Sequence, residues 1–282
     1  MQLRVLGAGD EAAFEAFLSS HRDTSMFLRS NARKAGLVYA GERYQATYVG
    51  AFIKEQMVGV AAHSWNGMLL LRAPQHVDEV AREAVASSQR RVTGLLGPLD
   101  QVRRARRALE LDGAATTLDE DEAFYTLDLA DLIVPTALAE GALTCRPPLA
   151  AERDTLCAWR HGYNVEVLGA TDDDATRQSA AALLDAQIAD GNAWVAVHHG
   201  EPVSLSAFNA ALPDIVQLGG IYTPPSLRGR GYAKAAVAGS LQAALSRGAS
   251  RAVLFTSNPS AAQSYEAVGF RRAGDYGLIL FR

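Results

Sequence analysis

The sequence predicts an α/β protein made of two tandem units, and three observations lead there. The chain of 282 residues is long for one domain and comfortable for two of about 140. Segments with strand periodicity alternate with helical ones in both halves. The halves also share an order of elements at low similarity: "VTGLLGPLDQVRRARRAL" mirrors "AVLFTSNPSAAQSYEAV" when Pro98 is aligned with Pro259. Each reads as a buried strand, a turn with proline and a helix.

In chain order, "LRVL" reads as a strand, followed by helices near Glu11–Ser19 and Ser25–Ala35. "TYVGAFIK", "MVGVAAHS" and "GMLLLR" form a meander, and a helix runs from about Val77 to Ser88. The Pro98 repeat follows, and the seam between halves lies in "LADLIVPTALAEGA", with units at 1–133 and 140–282. "ALTCR" is a short strand stopped by Pro147-Pro148; helices follow around Leu149–Trp159 and Asp173–Ala189. "AWVAV" and "VSLSAFNA" pair across a "HHGEP" turn, which places His198 and His199 as exposed residues. "DIVQLGGIY" is a third strand, closed by Pro224-Pro225. Its paired glycines mark close approach by another chain or a ligand. A glycine-arginine loop, a helix to about Arg247 and the strand "RAVLFTS" come next. Asn258 and Pro259 then open a short helix that Gly269 ends, and "GLILFR" is the last strand.

Composition narrows the function classes. At 49% hydrophobic and 21% charged the chain can fill two cores, and a formal charge of -4 argues against a general nucleic-acid binder. Cys145 and Cys157 lack metal-ligand spacing and read as apolar fillers in a reducing compartment. The N-terminus has no signal-peptide apolar stretch, and no run of ~18 apolar residues occurs. A cytoplasmic protein is expected.

The chemistry concentrates in "SLRGRGYAKAAVAGSLQAAL". A helix N-terminus has unpaired N–H groups and partial positive charge. Glycines just before it let backbone amides reach phosphate oxygens, and Arg228 and Arg230 add charge. The loop is not a Walker loop, and Lys234 stands where a dinucleotide fingerprint needs its third glycine. A surface turn with helix-initiating glycine is the alternative reading of the loop alone.

Two motifs in order decide between them. Arg228-Gly229-Arg230-Gly231-Tyr232-Ala233 fits [QR]-x-x-G-x-[GA]; Asn258, Ala261, Tyr265, Gly269 and Phe270 fit N-x-x-A-x-x-x-Y-x-x-x-G-F. On these residues the stretch 140–282 resembles the GNAT superfamily of acyl-CoA-dependent N-acetyltransferases. The resemblance implies two tandem GNAT-like domains, each a mixed, mostly antiparallel sheet flanked by helices, with neighbouring strands splayed to admit acetyl-CoA. It implies pantetheine along Ile221, Tyr222 and Thr223, pyrophosphate on the amides of Arg228 to Ala233, Asn258 near pantetheine and Tyr265 near the sulfur.

By the same resemblance Tyr265 is the proton donor to the leaving thiolate; a core tyrosine is the other reading, and the small neighbours Ala261 and Ala262 favour the first. "DIVQLGG" carries no internal carboxylate for a base. Trp159 and Tyr163 are placed in the acceptor pocket, with Glu166 either base or solvated acid. The first half lacks glycine at its cradle, "LLLRAPQHVDEVAREAV", and has Arg104 where Tyr265 aligns, so it reads as a degenerate copy. The "RRARR" run reads as a solvated helix face. The expected activity is acetyl transfer from acetyl-CoA to a small-molecule primary amine, without metal, nucleic acid or membrane, in an oligomeric state left open. An acyl-CoA sensor, or an enzyme acting on a peptide N-terminus or a cysteinyl amine, are the rivals.

Overall fold

The computed structural model describes all of residues 1–282, which fall into two compact units: Met1–Ala123 with Gly274–Arg282, and Phe124–Ala273. The first unit comprises β1 (Gln2–Val5), α1 (Glu11–Ser19), α2 (Met26–Ala35), β2 (Ala46–Ile53), β3 (Gln56–Ser64), β4 (Met68–Arg72), α3 (Val77–Ser88), β5 (Gly94–Pro98) and α4 (Leu99–Ala108). The strand β6 (Thr116–Asp128) leads into the second unit. There follow α5 (Thr136–Ala139), β7 (Thr144–Arg146), α6 (Arg153–Glu166), α7 (Asp174–Ala189), β8 (Ala193–His198), β9 (Glu201–Ala211) and β10 (Ile215–Tyr222). The chain ends with α8 (Tyr232–Ser246), β11 (Arg251–Thr256), α9 (Pro259–Glu266) and β12 (Arg271–Phe281).

Within each unit the predicted repeat is plain. In the first, β1 to β4 form an antiparallel meander, and β5 joins β4 in parallel after α3. In the second, β7 to β10 form the meander, and β11 joins β10 in parallel after α8. A parallel neighbour needs a crossover connection, and the intervening helix supplies it. The first core packs Val49, Leu69, Leu71 and Leu95 against Val77, Val80 and Ala84 of α3. In the second, Leu156 and Leu184 of α6 and α7 cover Val195 and Leu205 on one cluster, while Tyr232, Ala235 and Ala236 of α8 cover Ala196 and Val203 on another.

Three sequence expectations change. The division at 1–133 and 140–282 placed "GLILFR" with the second half, whereas the final strand groups with the first. There Tyr276–Leu280 pairs antiparallel with Gly94–Pro98, and Ile279 is wholly buried beside Leu71 and Leu95. Residues after Ala123 go the other way, because the Leu129 amide donates to Ser250 and that of Ile133 to Val268. The strand β6 was missed: its acidic run "LDEDEA" hides a period-2 alternation of half-buried and exposed positions. Asp119 and Asp121 pair with Arg103, and Asp119 also with Arg106. The "RRARR" run therefore has partners on β6.

Lastly, the helix placed at Leu149–Trp159 runs instead over Arg153–Glu166, straight through Gly162. Glycine costs about 1 kcal/mol inside a helix. Here it is required, since a Cβ at Gly162 would lie 2.9 Å from the Tyr222 hydroxyl.

Both cysteines are free, as filler residues would be. Burial pushes the Cys145 thiol up to about 12, and its Sγ lies against Gly239 of α8. No helix is long and apolar enough to cross a membrane.

Candidate active site

The strand β10 changes partners midway. Its first three residues pair with β11, ending at Gln217 opposite Val253, and Leu218–Tyr222 then continues without that neighbour. On its other side β10 stays with β9 but slips register twice, between Gln217 and Leu218 and between Gly219 and Tyr222. Gly220 sits at the second slip with φ +68°, a left-handed conformation that an L side chain adopts at a cost. Past Gln217 the edge of β10 that faced β11 has no strand neighbour. A parted strand edge of this kind accepts an extended ligand by main-chain hydrogen bonding.

The glycine-arginine loop lies just beyond. Gly229 and Gly231 both have φ +78°, and Gly231 is the residue capping α8. No side chain caps this 15-residue helix, and no acid stands in its first turn. A Cβ at Gly229 would meet nothing within 4 Å, and one at Gly231 only the end of Lys234, at 3.8 Å. The glycines are thus demanded by backbone angle rather than by crowding, and the space beside both is open. Free amides, αL glycines, Lys234 at the third helical position and Arg230 on the exposed loop fit a diphosphate. Tyr232 faces the other way: it is 6% exposed, and its hydroxyl pairs with His198 Nδ1 at 3.0 Å. So His198 is half-buried against Tyr232 rather than exposed; the exposed His199, at φ +52°, makes the turn with Gly200, at φ +87°.

Asn258 caps α9, its Oδ1 accepting from the amides of Ser260 (2.9 Å) and Ala261 (3.2 Å). That arrangement, worth about 1 kcal/mol, leaves the Nδ2 end on the exposed side. Glu266 holds the same helix by accepting a hydrogen bond from the Tyr125 hydroxyl at 3.2 Å. Beyond it Gly269, at φ +107°, passes so close to the Asp131 carbonyl that a Cβ would sit 2.8 Å from it. The motif glycine is therefore structural. Tyr265 is 8% exposed, with its ring edge-on to Phe270 at 6.2 Å.

The acceptor-side residues separate. Trp159 is half-buried and packs one side on the cluster of Leu156, Leu184 and Val195. Tyr163 lies under the guanidinium of Arg160, whose Cζ is 4.9 Å from the ring centre. Glu166, at the end of α6, forms a two-pronged ion pair with Arg228, at 2.7 Å for each oxygen, and accepts from the Tyr222 hydroxyl at 3.4 Å. Hydrogen bonds from Arg228 hold its carboxyl below the ordinary glutamate value, making it a poorer proton acceptor than its position in the sequence suggested. Arg228 also donates from Nε to the Thr223 carbonyl at 2.9 Å, and so ties the loop to the end of β10. Ser204 donates to the Tyr222 carbonyl and pairs with the Thr223 hydroxyl at 2.8 Å. The strand end Ile221–Thr223 is half-buried and fixed on one side only.

One residue escaped sequence reasoning. Arg160 is 4% exposed, and its Nη1 would lie 1.7 Å from a Cβ on Gly220. Asn209 likewise fills the space over Gly219. The paired glycines are crowded by this protein's own side chains, not left open for a second chain. The signal was available: Leu156, Arg160 and Tyr163 stand at helical spacing, which puts an arginine at a core position.

The sequence model of the Acetyltransferase (GNAT) family matches residues 154–270. A comparison with curated protein sequences finds no match. Among solved structures, a Drosophila protein aligns over 99% of this chain and 98% of its own, with TM-score 0.66 and 12% identity. A GCN5-related N-acetyltransferase from Kribbella flavida aligns over 98% and 96%, with TM-score 0.59 and 19% identity. An acetyltransferase of the GNAT family from Colwellia psychrerythraea covers both chains fully at TM-score 0.54 and 15% identity. At these identities the likeness speaks to fold, and it extends over both units. The parted strands, the uncapped glycine-led helix and the family match over them make one statement: residues 154–270 are an acetyltransferase domain of the GNAT family.

Proposed function

We propose that this domain moves an acetyl group from acetyl-CoA to a primary amine of a small molecule by direct attack, without a covalent enzyme intermediate. The observation that carries the reading is the junction of β10 and α8: an unpaired strand edge leading into a helix whose first amides are open and uncapped. Acetyl-CoA would supply the activated acyl group as a thioester. The amides following Arg228, with Arg230 and Lys234, bind the diphosphate charge, and the backbone of Ile221–Thr223 orients the extended arm. Asn258 offers its Nδ2 to the same arm while its oxygen keeps α9 in place.

Tyr265 holds the proton delivered to the departing sulfur. A phenol near pKa ~10 gives a proton to a thiolate near ~8.5 only mildly uphill, so the transfer is feasible at neutral pH. Glu166 positions the loop: it anchors Arg228, which grips the Thr223 carbonyl, and this replaces the expected role as base. Tyr265 is buried with its ring edge-on to Phe270, which would limit water around the phenol as the thiolate departs.

Calorimetry with coenzyme A and acetyl-CoA, followed by thiol release across a panel of primary amines, tests the reading. Binding with acceptor-dependent thiol release is expected. Absence of coenzyme A binding overturns the whole proposal, and binding without release on any amine points to a sensor.

A further inference from the structure

Arg160 is the least accounted-for charge in the molecule. It projects from the middle of α6 onto the bulge of β10, is 4% exposed, and has Nε and Nη1 buried with no hydrogen-bond partner. No carboxylate forms an ion pair with it; the Tyr163 ring under its Cζ is its nearest electrostatic neighbour. Burial accordingly pulls the guanidinium below its ordinary pKa. A buried cation without an anion is strongly unfavourable, and a fold that keeps one has usually reserved it for a ligand. One helical turn further on, Asn164 also buries an Oδ1 without a partner.

We propose that Arg160 binds a carboxylate carried by the acceptor, so that the amine acetylated here belongs to an amino acid. The inference rests on the function proposed above and adds the substrate class. A guanidinium presents parallel N–H donors that match a carboxylate, and in a site this dry the pair is worth far more than at a surface. Position argues for the acceptor rather than the coenzyme. Arg160 lies on Gly220, about 10 Å along the strand from Thr223, where the phosphate-binding loop begins. Gly220 directly precedes Ile221, the end of the arm-binding stretch farthest from the phosphate-binding loop. A carboxylate on Arg160 therefore sits within a few bonds of the attacking amine, as in an α- or β-amino acid. Asn164, an acceptor one turn away, faces the amine of such a molecule. Gly220 itself is explained, because any side chain there would displace the guanidinium.

The test uses the full chain, acetyl-CoA, the protein amino acids and their carboxamides, with thiol release as readout. Wild type should favour acids over the matching amides by about 100-fold in kcat/KM. Arg160→Gln should erase that preference, with the loss mainly in KM for the acids, coenzyme A affinity unchanged and the amides unaffected. Arg160→Lys, which keeps charge but not the fork, should recover part of the preference. Equal use of acids and amides by wild type overturns the inference, as does a failure to acetylate any acid while coenzyme A binds. So does a uniform loss across all acceptors in Arg160→Gln, the signature of a role in stabilising the reaction or the fold. Loss of coenzyme A binding in wild type would instead overturn the parent function, which keeps the two failures apart.

Discussion

The two units build the same strand-to-helix junction and finish it in opposite ways. In the second, nine residues separate β10 from α8, the cap is Gly231 at φ +78°, and the first turn carries Lys234 and no acid. In the first, four residues separate β4 from α3, and the cap is His76, held in the same left-handed region at φ +60°. There the helix opens with Asp78 and Glu79; Glu79 pairs back to His76 at 3.1 Å, and Asp78 meets Arg104 at 3.2 Å. The Ala73 amide is taken by Gln101 Oε1 at 2.7 Å. Neither helix has a side-chain cap; one copy leaves its positive dipole bare, and the other sets two acids against it from within. An anion site on a helix is made by what the chain withholds from it.

The comparison breaks most sharply at the helix that follows. Tyr265 occupies on α9 the place that Arg104 takes on α4 when the repeats are aligned. Tyr265→Phe should lower kcat by about 100-fold, the usual scale for a lost general acid, with acetyl-CoA affinity nearly intact. Single-turnover thiol release and calorimetry check it together, and unchanged turnover would make Tyr265 a core residue only. Arg104→Tyr in the first unit should confer no activity.

Next comes the cap. Gly231→Val forces a β-branched residue into a left-handed conformation, costing about 1–2 kcal/mol, and crowds the bare amides. Coenzyme A binding should weaken about 30-fold, roughly 2 kcal/mol. Gly162→Ala probes a different constraint, the contact with Tyr222, and should leave that affinity unchanged.

These positions show what the sequence could and could not disclose. Backbone demands that a single residue type satisfies were readable: Gly229 and Gly231 announce positive φ, and Asn258-Pro259 announces a helix start. Demands met by a distant partner were not. The helix expected to end at Trp159 runs on through Gly162, and the Tyr222 hydroxyl that meets this glycine lies sixty residues away in the chain. The same holds for Gly219-Gly220, whose crowding neighbours Asn209 and Arg160 sit on β9 and α6. The last strand reads as a strand from "GLILFR", yet nothing in six residues says that β5 is its neighbour. Glu166 was visible as an acid near the site, but its pairing with Arg228, which decides its chemistry, is a tertiary fact.

Exchanging the first-turn charges tests the central contrast directly. Ala233→Asp with Lys234→Glu copies the Asp78 and Glu79 pattern onto α8, at the same second and third helical positions. Two acids against a helix N-terminus offset its dipole and repel a diphosphate. Affinity for coenzyme A should fall about 10-fold at low salt and less at high salt, because the charges are half-exposed. The reciprocal change, Asp78→Ala with Glu79→Lys, should gain no binding, since Ala73–His76 offers no glycine loop before the helix and Gln101 still holds the Ala73 amide at the end of β4.

The smallest effect is at Glu166, and it separates positioning from base catalysis. Arg228 depresses the carboxyl pKa, so the stabilisation from the pair is present above the unfolded glutamate value and fades as pH falls through the lower folded one. Both partners are nearly half exposed, so the linkage is largely screened, and no loss of stability is expected between pH 6 and 8. Glu166→Gln removes a negative charge next to the loop but leaves Arg228 bonded to Thr223. Coenzyme A should then bind two- to threefold more tightly at low salt, the scale of one screened surface charge, with kcat unchanged. A base would behave oppositely: kcat would fall steeply, and the acidic limb of the pH–rate profile would vanish with the carboxylate. The ion pair predicts the first outcome, because a carboxylate already bonded twice to a guanidinium has to give up that partner before it can take a proton from the amine.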